Sequence, residues 1–246
     1  MLFGRKKKNV GEGKIVVGTP DCPYSVGEAY NKLKDNLLYM NADGDTKVFQ
    51  IESAMMSEGK TTVLANLAVS LGLTDKKVIV VDLDFRRPKM HRLFSASKDN
   101  GIAEYILGDI PLETIIKKSE FKNVDVITRG AEIYNSSLVL ISDKFKNMIE
   151  QLKQTYDYVL LDCAPVLQVS DYIHVCKISD GIIFVVAYAK TTKNQVKEAI
   201  NDLKKNGGNV LGTVFTMYDK NKEKNGAFRD KYYGYGYYSN DTEEEN

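Results

Sequence analysis

The sequence predicts an α/β protein in which a parallel β-sheet lies between layers of helices. Three observations support this fold class. Short, continuous runs of β-branched and aliphatic residues recur along the chain, which is typical of strands that are covered on both faces. Segments with a helical apolar stripe separate these runs. Polar residues follow the ends of the runs, and ligands in parallel sheets bind beyond the carboxyl ends of the strands.

The chain of 246 residues is long enough to bury the core of one α/β domain. Its formal net charge of +1 gives no reason to expect nucleic acid as a partner. The three cysteines form no CxxC pair, which favours a reducing compartment over a disulfide framework. The start has no secretory signal, and no apolar run has the length of a membrane span. We therefore expect a cytoplasmic protein, unless a partner tethers it to a membrane.

The predicted elements alternate along this domain. Apolar residues at helical spacing indicate the helices. In the helix predicted at 61–73, they are Leu64, Leu67, Ala68 and Leu71. Strands are predicted at 48–51, 78–84, 124–128, 158–163, 182–187 and 210–217. Helices are predicted at 61–73, 138–152 and 192–206. The last helix is expected to end at Gly207, because glycine permits a left-handed C-cap.

Two segments differ from this alternating pattern, so three regions are expected: a basic flexible leader at 1–23, a domain at 24–219, and a flexible tail at 220–246. The leader contains a cationic run, Arg5–Lys8. It is either a solvated, disordered segment or a weak contact with a membrane surface. The tail is poor in aliphatic residues and rich in charge, glycine and tyrosine, so it lacks an apolar face that could pack.

Residues 54–61 read AMMSEGKT between a strand and a helix, which is the context of a phosphate-binding loop, or P-loop. There Lys60 is expected to reach the β- and γ-phosphates of ATP, Thr61 to bind Mg²⁺, and Thr62 to contact the α-phosphate. Ala54 replaces the usual first glycine, and alanine is tolerated only if this position does not need a positive φ. The other predicted nucleotide contacts lie within the loop: Ser57, Glu58 and Gly59.

Acidic residues end two of the predicted strands, Asp82 and Asp84 on one and Asp162 on the other. Carboxylates at the same edge as the loop can bind Mg²⁺ or accept a proton from an attacking hydroxyl. We expect Asp82 and Asp162 to bind the metal with Thr61, and all three aspartates to act in catalysis with Lys60. Arg87 either neutralises phosphate charge in the transition state or pairs with the aspartates and fixes the loop.

Three segments resemble the bacterial tyrosine kinases that regulate capsule and exopolysaccharide synthesis. VIVVDLDFRRPKMHRLF at 78–94 resembles their second acidic motif, and YDYVLLDCAPVLQVSD at 156–171 resembles their third. EAYNKLKDNLLY at 28–39 resembles their N-terminal helix. The similarity covers about residues 25–220. The acidic motifs separate the chain from the septum-site and chromosome-partitioning ATPases, which share the P-loop fold.

The resemblance implies an ATP- and Mg²⁺-dependent kinase that autophosphorylates a C-terminal tyrosine cluster on a neighbouring subunit. It also implies activation by the cytoplasmic tail of a membrane protein of polysaccharide chain-length control. The kinase would then lie at the inner face of the membrane through that activator. A cognate tyrosine phosphatase and a homo-oligomer are further implied partners. The expected acceptors share one glycine-interrupted segment: Tyr232, Tyr233, Tyr235, Tyr237 and Tyr238.

The chain also departs from the family pattern. The N-terminal helix has Glu28, Asn31 and Lys34 where the family tends to have Glu-x-x-Arg-x-x-Arg at subunit contacts, and lysine lacks the planar fork of arginine. Thr216 stands near the place of an asparagine that reads adenine. These changes leave open a catalytically weak, ATP-binding regulatory subunit, or an ATPase switch, as alternatives to the kinase.

Overall fold

The computed structural model describes residues 14–41, 44, 46–108 and 110–218. Strands and helices alternate through most of this range. The strands are β1 Val48–Ser53, β2 Val78–Asp82, β3 Lys117–Lys118, β4 Val124–Ile127, β5 Tyr158–Asp162, β6 Gly181–Ala187 and β7 Val210–Thr216. The helices are α1 Tyr24–Met40, α2 Lys60–Gly72, α3 Met90–Leu93, α4 Ile102–Leu107, α5 Leu112–Ile115, α6 Ser136–Ile141, α7 Asp143–Thr155, α8 Tyr172–Val175 and α9 Lys193–Lys205.

The seven strands form one sheet in the order β3-β4-β2-β5-β1-β6-β7. All neighbouring strands are parallel except β3 and β4, which are antiparallel. The prediction of a parallel sheet is confirmed for the six long strands. The sequence did not predict β3, because this edge strand contains two lysines and no apolar residue.

Helices cover both faces of the sheet. On β2, Val80 belongs to the core cluster that contains Leu64 of α2, and the next residue, Val81, belongs to the cluster that contains Met148 of α7. On the second face, Phe184 of β6 packs in a cluster with residues of α9. Alternate residues of buried strands therefore face opposite layers, which gives the predicted three-layer architecture.

Two predicted boundaries are wrong. The helix predicted at 138–152 is divided at Ser142, which has an extended backbone and accepts a hydrogen bond from the Phe145 N–H at 3.2 Å to begin α7. The predicted leader at 1–23 includes residues that pack on the core. Ile15 and Val17 are buried, and the N–H of Val17 donates to Asn66 Oδ1 at 3.0 Å. The folded domain therefore begins no later than Lys14.

Residues 1–13 and 219–246 lie outside the described residues. The predictions for the cationic run and for the five tail tyrosines concern these segments. Within the described part of the chain, no helix has the length and apolar character needed to cross a membrane.

Candidate nucleotide-binding site

The loop at 54–59 connects β1 to α2 at the centre of the sheet edge. Two of its residues, Ser57 and Gly59, have a positive φ, of 59° and 89°. A Cβ at Gly59 would lie 3.2 Å from Cγ2 of Thr216, so both backbone conformation and space favour glycine there. Ala54 does not have a positive φ. This explains why alanine can replace the usual first glycine of the pattern.

Lys60 and Thr61 both contact Asp162, across the edge of the sheet. Lys60 Nζ lies 2.6 Å from Asp162 Oδ1, and the Thr61 hydroxyl donates to Asp162 Oδ2 at 2.9 Å. All three residues are buried. Burial is the largest influence and would lower the pKa of Lys60, but the combined interactions with Asp162, Asp84 and Glu52 raise that pKa. The predicted P-loop lysine, metal-binding hydroxyl and third-motif aspartate therefore lie together.

Asp82 completes the acidic edge, since it pairs in register with Asp162 on the neighbouring strand. Its Oδ2 accepts the N–H groups of Lys89 and Met90, each at 3.0 Å. Its Oδ1 is buried and has no hydrogen-bond partner among the described residues. Burial, and then the charge of Asp162, raise the pKa of Asp82 to about 8. An unpartnered carboxylate oxygen beside a second carboxylate suits a divalent cation.

Asp84 and Arg87 lie at the more open side of this edge. Asp84 is half-buried, and its Oδ1 accepts the N–H of Arg87 at 3.0 Å. The Arg87 side chain is exposed and lines an adjacent groove. The contact between Arg87 and Asp84 thus goes through the backbone, which leaves the guanidinium free to approach a ligand.

Glu58 and Thr216, two predicted nucleotide contacts, use their side chains to hold the loop. The Glu58 carboxylate accepts the Met55 N–H at 3.0 Å and the hydroxyl of Thr191. The Thr216 hydroxyl donates to the Glu58 carbonyl at 2.6 Å. Lys190 Nζ donates to the Ser57 carbonyl at 2.7 Å. The hydroxyl of Thr216 therefore contacts the P-loop backbone, a support role that the sequence did not predict.

Lys190 and Thr191 were missed by the sequence reasoning, although a signal was present. They lie shortly after the buried strand β6, which ends at Ala187. Asp84 likewise lies shortly after the end of its strand, and Asp162 is the last residue of another. The carboxyl ends of parallel strands meet at one edge of a sheet. Polar residues just after β6 could therefore have been assigned to the same site.

Glu52 is a second residue that the sequence reasoning missed, and it lies beneath the loop on β1. It is buried. Its Oε1 accepts from Gln50 Nε2 at 2.6 Å, while its Oε2 has no partner among the described residues. Burial raises the pKa of Glu52 to about 8, although Lys60 opposes this shift. The sequence feature that could have identified it is the position of this glutamate within the buried strand VFQIES.

The raised pKa of Glu52 predicts a pH-dependent effect of Glu52→Gln on stability. The folded pKa exceeds the ordinary glutamate pKa of 4.5, so the wild-type glutamate loses stabilisation as pH rises from about 4.5 to about 8, by up to about 1.4 kcal/mol per pH unit. Glutamine cannot ionise. Urea unfolding should show that the variant gains stability relative to the wild type between pH 5.5 and pH 8.5. An equal difference at both pH values would contradict the assignment, and Glu150→Gln on the exposed surface of α7 is the control.

The fold and this site define a P-loop nucleotide-binding protein, in which lysine and threonine at a helix start face an acidic strand edge. A family model described as an AAA domain matches residues 47–211. The tyrosine-protein kinase YwqD of Bacillus subtilis is 31% identical over 95% of each chain. The chain therefore belongs to the family of bacterial tyrosine kinases, and the resemblance stated from its motifs is confirmed.

Solved structures agree with this assignment. The kinase domain of the Escherichia coli tyrosine kinase ETK has a TM-score of 0.76 at 30% identity, and the match covers 85% of this chain and 80% of that one. The septum site-determining protein MinD of Pyrococcus horikoshii, solved with Mg-ADP, has a TM-score of 0.61 at 29% identity, over 70% and 71% of the two chains. Some relatives are much longer: this chain covers 30% of the length of etk from Escherichia coli strain K12.

Proposed function

We propose that this chain transfers the γ-phosphoryl group of Mg-ATP to tyrosines in the C-terminal cluster of a second copy, and so regulates capsule or exopolysaccharide synthesis. One observation carries the proposal: Lys60 and Thr61 converge on Asp162, in register with the unpartnered oxygen of Asp82. This arrangement offers a cation, a hydroxyl and carboxylates where a nucleotide phosphate and its metal would bind. Membership of the tyrosine kinase family supports tyrosine as the acceptor.

The roles that we assign to these residues follow from how deeply each is buried. Asp82 and Asp162 are fully buried and, with Thr61, would hold Mg²⁺, which neutralises phosphate charge when bound. Lys60 would exchange its contact with Asp162 for phosphate oxygens. Asp84 is half-buried and can meet an incoming tyrosine, so we assign it the acceptor proton.

In the transfer itself, the tyrosine oxygen forms a bond to the γ-phosphorus as the bond to the β–γ bridging oxygen breaks. ADP leaves with that bridging oxygen, and the tyrosine proton passes to Asp84. The exposed guanidinium of Arg87 can stabilise the charge that develops on the phosphoryl oxygens. Each role belongs to a residue at the same sheet edge.

Regulation is proposed through partners that bind outside this edge. The cytoplasmic tail of a membrane chain-length protein would activate the kinase and keep it at the inner face of the membrane. A cognate phosphatase would remove the phosphates. On α1, the Glu28 carboxylate accepts a hydrogen bond from Asn31 at 3.2 Å. Because Glu28 has this partner on its own helix, we expect a homo-oligomer to be weaker than one with arginine at these positions.

Intact mass measured before and after incubation with Mg-ATP tests the proposal. The protein should gain several phosphates, more with the activator's cytoplasmic tail present. A variant with phenylalanine at Tyr232, Tyr233, Tyr235, Tyr237 and Tyr238 should gain none, while it still binds ATP. If the wild type binds ATP but neither gains mass nor releases inorganic phosphate under any condition, the chain is a regulatory subunit. Release of inorganic phosphate without mass gain would identify an ATPase switch.

A further inference from the structure

A groove of about 420 Å³ lies beside the nucleotide-binding edge, and its lining is strongly basic. None of the described aspartate or glutamate side chains lines it. Burial and the charges of Lys98, Arg92 and Arg129 lower the pKa of His91, which also lines the groove. We call this feature the cationic groove and define it by six residues: Arg86, Arg87, Lys89, Arg92, Lys98 and Arg129.

The cationic groove is continuous with the proposed catalytic edge. The backbone N–H of Arg87 contacts Asp84, and that of Lys89 contacts Asp82. The far wall is held to the same loop, since Arg129 Nη1 donates to the Phe85 carbonyl at 2.9 Å. A segment bound in the groove would therefore continue directly to Asp84.

The chain itself contains a segment of complementary charge. Residues 241–246 read DTEEEN, and four of the six carry side-chain carboxylates: Asp241, Glu243, Glu244 and Glu245. Only Ser239 and Asn240 separate Tyr238 from this segment. An extended chain spans about 3.3–3.6 Å per residue, so Glu243 can lie up to about 17 Å from Tyr238. The acidic segment therefore lies within a few residues of the expected acceptors.

We propose that the cationic groove binds the acidic segment 241–246 of a second copy and so presents the tyrosines of that copy to Asp84. The inference rests on the proposed function, because it identifies how the acceptor segment is recognised. Opposite charges at a docking surface accelerate association and favour the correct partner. The groove would select tyrosines that are followed closely by carboxylates.

Transfer between two distinguishable copies tests this docking. An isotopically heavy Lys60→Met copy serves as the acceptor, the unlabelled full chain as the enzyme, and intact mass gives the initial rate. An acceptor that also carries Glu243→Lys, Glu244→Lys and Glu245→Lys should have a KM at least about tenfold higher at low salt. The kcat should change little, and the difference should shrink in 0.5 M NaCl because exposed charges are screened.

Lys98→Glu in the enzyme tests the groove side of the contact, since Lys98 is exposed and does not contact the proposed catalytic residues. It should raise the acceptor KM about threefold to tenfold and leave ATP binding unchanged. The acceptor with the three lysines should recover part of this loss, because the charges are then exchanged. Lys197→Glu, an equal charge change at an exposed position of α9, should have no effect.

A labelled peptide of residues 228–246 separates docking from catalysis. Its binding to the full chain, followed by fluorescence anisotropy, should weaken with Lys98→Glu and not with Lys197→Glu. If the wild type transfers no phosphate but binds the peptide in this way, the proposed function fails and the docking stands. Equal KM values and equal peptide affinities for the wild type and Lys98→Glu would overturn the docking. If instead Lys98→Glu reduces only binding to phosphatidylglycerol-containing vesicles, the groove is a lipid-binding surface.

Discussion

Lys60→Met should abolish the ATP-dependent gain of phosphate while the fold is retained. Lys60 is the buried cation at the start of α2, and its Nζ lies 2.6 Å from Asp162 Oδ1. Methionine has a similar length but no charge. Hydrogen bonds to charged groups contribute about 1.5–3 kcal/mol, so ATP should bind about 10- to 100-fold more weakly. Transfer should fall on the order of 10³-fold, because the charge that develops on the phosphate loses its nearest cation.

The same substitution should make the stability of the protein more dependent on pH. Removing one partner of a buried ion pair costs about 3–5 kcal/mol when the other charge remains. Asp162 can instead take up a proton, since burial already raises its pKa and Lys60 is the main group that lowers it. The folded pKa of Asp162 then lies further above its unfolded value. Stability of the variant should therefore fall more steeply than that of the wild type as pH rises from 6 to 8.5.

Three measurements check this prediction. Isothermal titration calorimetry measures the affinity for ATP, and intact mass measures the gain of phosphate. Urea unfolding at pH 6 and pH 8.5 measures how the loss of the ion pair changes stability. Lys197→Met, at an exposed position of α9, is the matched control and should change none of these values. Unchanged ATP affinity in Lys60→Met would refute the assignment of the loop.

The sequence predicted the central strands and the P-loop because each depends on local chemistry. The run VIVVD is apolar on both faces, and this is sufficient to place β2 in the interior of a parallel sheet. Glycine at position 59 is required by a positive φ and by the side chain of Thr216. The pairing of Asp82 with Asp162 followed from the rule that parallel strands end at one edge.

The parts that were missed depend on contacts between distant segments. Ile15 and Val17 are buried in the core cluster that contains residues of α2. The N–H groups of Val16 and Val17 donate to Asn66 Oδ1, also on α2. No periodicity at the start of the chain indicates this contact. The support of the loop by Thr216 likewise connects β7 to a segment 158 residues earlier. Short-range patterns cannot identify such pairs, and this is why the domain boundary differed from expectation and the contact of Thr216 with the loop was not predicted.

Asp82→Asn and Asp84→Asn should have different effects, which distinguish the aspartate that binds the metal from the one that accepts the proton. The sequence alone did not assign these two roles. Asp82 is buried with one unpartnered oxygen beside Asp162, whereas Asp84 is half-buried. Asp82→Asn should therefore raise the Mg²⁺ concentration needed for half-maximal transfer by about tenfold or more. Asp84→Asn should leave that concentration nearly unchanged and lower kcat about 10²- to 10⁴-fold, the usual contribution of a general base.

Stability measurements exclude misfolding as the cause of either effect. Asparagine keeps the oxygen that accepts the N–H groups of Lys89 and Met90. Since the pKa of Asp82 is raised to about 8 by burial, an uncharged side chain is well tolerated there, and Asp82→Asn should match or exceed the wild type in urea at pH 8.5. Glu150→Gln serves as the surface control for both variants.

The pattern of the two defects decides the assignment. A shifted Mg²⁺ requirement in Asp82→Asn alone places the metal between β2 and β5, and a loss of kcat in Asp84→Asn at saturating Mg²⁺ places the proton on the half-exposed carboxylate. The reverse pattern would assign the base to a buried aspartate. A tyrosine hydroxyl would then have to reach a fully buried carboxylate, because Asp82 and Asp162 are both buried. The two variants therefore test the metal-binding and proton-accepting roles separately, whatever surface binds the acceptor segment.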